Sequence, residues 1–148
     1  GKPTTTLCVS SQVGCAMACA FCATGRMGLI LSLSSSEICQ QMWLALRMVQ
    51  SNNLPPLRSI VFMGMGEPLD NLEHLVRAIR VMSNFPGLGI KNITVSTVGL
   101  APQVYSLLRA LPRVPSSRLT RRPPSPAAAP HGHSCHSKAN EGRNAHKS

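Results

Sequence analysis

The sequence predicts an α/β fold of three consecutive strand–loop–helix units around a parallel sheet, either barrel-like or open. Short β-branched or apolar runs recur at residues 4–10, 59–63 and 92–96. Each leads through a loop into apolar residues at helical spacing. The three stretches that carry functional side chains each follow one of these strands directly. That is the carboxyl end, where ligands gather in parallel α/β folds.

Residues 4–10, TTTLCVS, have the composition of a buried strand. Cys8 within it reads, by itself, as a core cysteine. The loop at 14–25, GCAMACAFCATG, then spaces Cys15, Cys19 and Cys22 as C-x3-C-x2-C. Three thiolates so close in sequence can wrap one compact metal centre but supply no fourth ligand. An iron–sulfur cube usually takes four cysteines, so three leave one iron open to an exchangeable ligand, which points to catalysis more than electron storage. Gly14 and Gly25 let the backbone turn tightly at the two ends of the loop. Two rival readings stand beside this one. Cys19-x2-Cys22 alone suits half a zinc site, and all three thiols suit a buried structural role. A zinc ribbon needs a second closely spaced ligand pair, which the body of the chain lacks, so the iron–sulfur reading is favoured.

Ser34 and Glu37 have capping-box spacing, and Ile38, Met42, Ala45 and Val49 extend one helical face to Gln50. Cys39 on that helix has no chemistry to recommend it. Residues 52–56 stop the helix, and the strand at 59–63 ends in Gly64-Met65-Gly66-Glu67-Pro68. That segment offers a carboxylate and free carbonyls to a ligand ammonium, or is simply a strand-to-helix turn. Asp70 to Glu73 resembles another cap, with Leu72, Leu75, Val76 and Ile79 on the next helix, which ends near Asn84. At the end of the third strand, Ser96 can hydrogen-bond a ribose or carboxylate, or serve as a helix N-cap. Val104, Leu107, Leu108 and Leu111 form the third helical face.

From Pro115 the character changes to Pro, Ser, Ala, Arg and His without apolar period. The chain therefore divides into a partial core domain at 1–113 and a low-complexity tail at 114–148 that is expected to be disordered. A flexible basic tail and a reading-frame or splicing artefact both account for it, and the abrupt end of βα alternation favours the artefact. His131, His133, Cys135 and His136 within it have metal-ligand chemistry, but in such a context an incidental cluster is the better reading.

The chain length suits one modest domain. No apolar run approaches the roughly 18 residues a membrane span requires, so a soluble protein without membrane contact is expected. Three of the six cysteines crowd into eight residues, which fits a reducing compartment better than a disulfide framework. The start shows no initiator methionine and no secretory leader, so a cut N-terminus is expected. The net charge of +10 is uneven: residues 1–113 carry nine Lys/Arg against four acids, and 114–148 six against one. Half the excess sits in the tail, so charge alone points only weakly to nucleic acid.

Taken together, Cys8-Val-Ser-Ser-Gln-Val-Gly-Cys15, the cysteine loop with Phe21, Ala23 to Gly28, Gly64 to Pro68 and Val95 to Gly99 resemble the radical S-adenosylmethionine (SAM) dual-specificity rRNA and tRNA adenine C2 methyltransferases. The likeness runs from about Thr5 to about Pro112, with the five segments in the family's order. It implies a partial radical SAM (βα) barrel and a [4Fe-4S] cluster on Cys15, Cys19 and Cys22. It also implies a SAM site that includes Gly66, Glu67 and Ser96. Cys8 becomes, by resemblance, the thiol that resolves a protein–RNA intermediate through a disulfide with a second, methyl-carrying cysteine. That second cysteine is not found, since the surroundings of Cys135 do not match, and the family's N-terminal RNA-binding domain is absent as well. The implied partners are rRNA, tRNA and an external electron donor, acting on a monomer. The implied location is cytoplasmic, or organellar behind a missing targeting peptide. The expectation is thus a truncated methyltransferase, incomplete as written. Its alternatives are an adenine C8 methyltransferase relative and a noncatalytic iron–sulfur or zinc RNA-binding fragment.

Overall fold

A computed structural model describes residues 1–19, 22, 25–111 and 119–121. Four strands, β1 (Thr5–Cys8), β4 (Leu57–Phe62), β5 (Ile93–Thr97) and β6 (Leu119–Arg121), form one sheet in the order β1-β4-β5-β6. Every pairing in it is parallel. Two further strands, β2 (Gln12–Gly14) and β3 (Leu29–Ser32), pair with each other as an antiparallel hairpin. Three helices, α1 (Ser35–Ser51), α2 (Leu72–Ser83) and α3 (Ala101–Ala110), complete the three expected units.

Each new strand of the sheet joins beside the previous one without reversing direction. The helices also pack side by side, α1 on α2 and α2 on α3. The described strands form one open parallel arc. The two faces of the arc differ because side chains alternate along a strand. Leu7, Ile60, Phe62, Ile93 and Val95 meet Ile38, Met42, Leu75, Ile79, Met82 and Leu107 in one apolar core. Register places Thr6, Cys8, Ser59, Val61, Thr94, Ser96 and Thr120 on the opposite face, where hydroxyls predominate.

The capping box forms as the spacing predicts. Ser34 Oγ accepts from the Glu37 amide (3.3 Å), and Glu37 Oε2 accepts from the Ser34 amide (2.8 Å). The second expected cap is not made. Asn71 precedes α2 without capping it, and its amide instead donates to the carbonyls of Ser11 (2.9 Å) and Leu33 (2.7 Å). The helix surrenders a cap so that the hairpin is tied down. Ser96 lies inside β5, and Leu100 stands at the N-cap of α3, so the N-cap reading of Ser96 is overturned.

Leu119–Arg121 departs from the expectation that everything from 114 on lies outside the fold. The parallel edge of β5 presents unpaired backbone groups, and β6 satisfies them. The remainder of the expected tail, with its His131-to-His136 cluster, lies outside the described residues, as do Phe21, Ala23 and Thr24 of the cysteine loop. Among the described residues, no helix is long and apolar enough to cross a membrane.

Candidate cofactor site

The cysteine loop hangs from the β2–β3 hairpin, and two glycines at its neck make that possible. Gly14 (φ +75) and Gly28 (φ +68) take left-handed conformations, and a Cβ on Gly14 would collide with the Gly28 carbonyl. The Cys15 amide donates to that carbonyl (2.9 Å), closing the loop. Inside it, the Cys22 amide donates to the Cys19 carbonyl (3.0 Å) and the Gly25 amide to the Cys22 carbonyl (3.0 Å). A Cβ at Gly25 would lie 2.7 Å from the Cys19 carbonyl, so only glycine fits this coil.

The segment after β4 packs against the end of β1 just as closely. The Gly64 amide donates to the Val9 carbonyl (3.1 Å), and a Cβ there would stand 2.5 Å from Ser10 Oγ. Ser10 is itself clamped by Gln41, whose amide group accepts from the Ser10 N–H and donates to the Ser10 carbonyl, each at 2.9 Å. Gly66 has φ +95 and presses on Gln12. These contacts bring two loops far apart in sequence to one small cavity. It is lined by Cys15, Met17, Cys19, Cys22, Gly66 and Glu67, with Gly25, Gly64 and Val98. A wider groove at the amino ends of the strands, bounded by Leu46, Leu54, Leu57 and Phe85, holds none of these chemical groups.

Glu67 is buried and almost fully used. Its Oε1 accepts from the Leu69 amide (3.1 Å) and the Thr97 hydroxyl, and its Oε2 accepts from the Val98 amide (3.0 Å). Three of a carboxylate's roughly four acceptor positions are thereby filled. The residue joins the β4 turn to the end of β5 and leaves about one lone-pair site for a ligand.

The cavity crowds acidic groups. Burial pushes the Cys15 thiol above its ordinary pKa, and charge on Cys19, Glu67 and Cys22 pushes the same way, against the Met17 amide donating to the sulfur. A cationic centre would relieve that repulsion, so the donor set fits a thiolate-ligated cluster. Among the described residues, no three Cys, His, Asp or Glu side chains stand close enough to share one metal ion. Among the described residues, no two cysteines are joined in a disulfide.

Of the remaining expected residues, Ser96 is buried on the polar face of β5, one position before the Thr97 that binds Glu67. Cys8 is exposed at the carboxyl end of β1 and shares that polar face with Ser96. Neither Ser96 nor Cys8 lines the cavity. Gln12, Gln41, Asn71 and Thr97 escape sequence reasoning. For Gln12, Asn71 and Thr97 the one signal is position inside a motif, and Gln41, in the middle of α1, carries no signal.

A probable RNA methyltransferase of Sorangium cellulosum is 47% identical over 111 residues, covering 74% of this chain and 28% of that protein. The dual-specificity RNA methyltransferase RlmN of Pelobacter propionicus is 50% identical over 111 residues, covering 74% and 30%. The crystal structure of a radical SAM methyltransferase from Sphaerobacter thermophilus superimposes with a TM-score of 0.65 at 45% identity, covering 70% of this chain and 31% of that one. Over about three-quarters of its length the chain is similar to one part of the dual-specificity RNA methyltransferases. It spans about a third of the length of the curated relatives it matches. No protein-family model matches it.

Proposed function

We propose that this chain is the cofactor-binding part of a radical SAM methyltransferase that places a methyl group on C2 of adenine in ribosomal and transfer RNA. The observation that carries this reading is the shared cavity: Cys15, Cys19 and Cys22 from one loop meet Gly66 and Glu67 from another, at the carboxyl ends of adjacent parallel strands. In this reading the three thiolates hold a [4Fe-4S] cluster, and the Gly66–Glu67 turn and Ser96 hold SAM. The bound cofactors supply one-electron cleavage chemistry that no side chain of the chain provides, with an external electron donor as partner.

The chain's own residues do the positioning. The left-handed Gly66 fixes the turn beside the cavity, and Glu67, locked by three donors, presents its carboxylate there to a ligand ammonium. Cys8 is the resolving thiol of this reading, exposed on the polar face toward which an RNA base would project. The relatives' names support RNA as substrate. The monomeric state and the cytoplasmic location belong to the same proposal.

Anaerobic reconstitution with iron and sulfide, followed by a SAM cleavage assay, tests it. The parent chain is expected to bind iron and cleave SAM, and Cys19→Ala to lose both. Zinc at one per chain, or iron whose spectrum ignores SAM, would favour a noncatalytic fragment instead. Mass spectrometry of RNA methylated by the intact parent protein separates C2 from C8.

A further inference from the structure

Gln12 is fully buried and touches the Gly66–Glu67 side of the cavity without lining it. It belongs to β2, three residues before Cys15, and so forms the root of the cysteine hairpin. Its Oε1 accepts from the Glu67 amide (2.9 Å). Its Nε2 donates to Asp70 Oδ2 (2.9 Å) and Ser32 Oγ (3.1 Å). The orientation of the carboxamide follows from chemistry, because an amide N–H demands the oxygen and a carboxylate demands the nitrogen. Its backbone N–H also reaches the Met65 carbonyl (3.3 Å), and its Cβ occupies the place where a side chain on Gly66 would go, 2.5 Å from that position. One side chain thus braces β2, β3, the Gly66–Glu67 turn and the turn at Asp70.

We propose that Gln12 is the positioning residue that sets the Gly66–Glu67 turn against the cysteine loop, and so tunes SAM affinity without holding the cluster. The inference rests on the functional reading above, but its first test does not. Hydrogen exchange on the metal-free chain reads the brace directly. Gln12→Leu, close in volume but without the hydrogen bonds, should speed exchange at the Glu67 amide by about fivefold or more, as expected when a buried donor loses its partner. Amides in β5 and α2 should stay unchanged. The double variant Gln12→Glu with Asp70→Asn, in which carboxylate and amide trade places, should restore protection at Glu67. Should Gln12→Leu fail to fold, the double variant carries the test alone, and it must match the parent at Glu67.

In the reconstituted protein, Gln12→Leu should retain the parent's iron content while its dissociation constant for SAM, read from the change in the reduced cluster's electron paramagnetic resonance spectrum, rises about fivefold or more. Unchanged Glu67 exchange, unchanged SAM affinity at full iron content, or loss of the cluster itself would each overturn the proposal. A parent chain that takes up iron but ignores SAM would overturn the functional reading while leaving the exchange result to decide the role of Gln12.

Discussion

Glu67 shows how one side chain serves both structure and chemistry. Its carboxylate neutralises three donors around the cavity, one of them the Thr97 hydroxyl, which in turn accepts from the Gly99 amide (3.0 Å). Thr97→Val keeps the shape and removes both hydrogen bonds, leaving Gly99 without this acceptor and Glu67 short of a donor. A loss of about 1–3 kcal/mol in urea-induced unfolding is expected. Gly66→Ala should cost about as much or more, because it adds left-handed backbone strain to a collision with Gln12. An unfolding midpoint equal to the parent's would show that the turn can move aside.

At the scale of elements, the hairpin and α1 differ in how far their own residues specify them. The N-terminus of α1 is local: the Ser34 hydroxyl, with the Ser34 amide adding to it, holds the Glu37 carboxyl below its ordinary value. A carboxyl whose pKa is lowered on folding contributes stability that is complete above the unfolded value. That contribution is lost as pH falls from about 4.5 through the folded value. Glu37→Gln, which mimics the protonated carboxyl, should therefore lower Tm near neutral pH and converge with the parent as pH falls below about 4.5, as measured by thermal melts between about pH 3 and 7. The β2–β3 hairpin has no such local code. Its strands are three and four residues long and enclose the whole cysteine loop. Asn71, Gln12 and the glycine neck supply its hold, and three of its apolar residues, Leu29, Ile30 and Leu31, remain exposed. Periodicity can show that residues 29–31 are apolar but not that they pair with residues 12–14.

For the whole molecule, the polar face of the arc and the short fourth strand matter most. β6 lies parallel to β5, and Leu119 packs against the core. Ending the chain after residue 113 should therefore uncover the β5 edge and lower Tm by more than about 5 °C in a thermal melt. A Tm equal to that of the full chain would mean that β6 adds nothing.

The sequence by itself determined the three βα units, the capping box, the apolar face of each helix and the cysteine loop, because each is written in contiguous residues at a fixed period or spacing. It left the Gly64–Pro68 segment open between a ligand-holding loop and a plain turn. Only the tertiary structure decided that Glu67 faces the cysteines with its carboxylate largely occupied, that Asn71 ties the hairpin instead of capping a helix, and that Gln12 joins the two loops. Those contacts link residues 30 to 60 positions apart. Register and packing bring them together after each element has formed, and no local pattern of residues encodes that meeting.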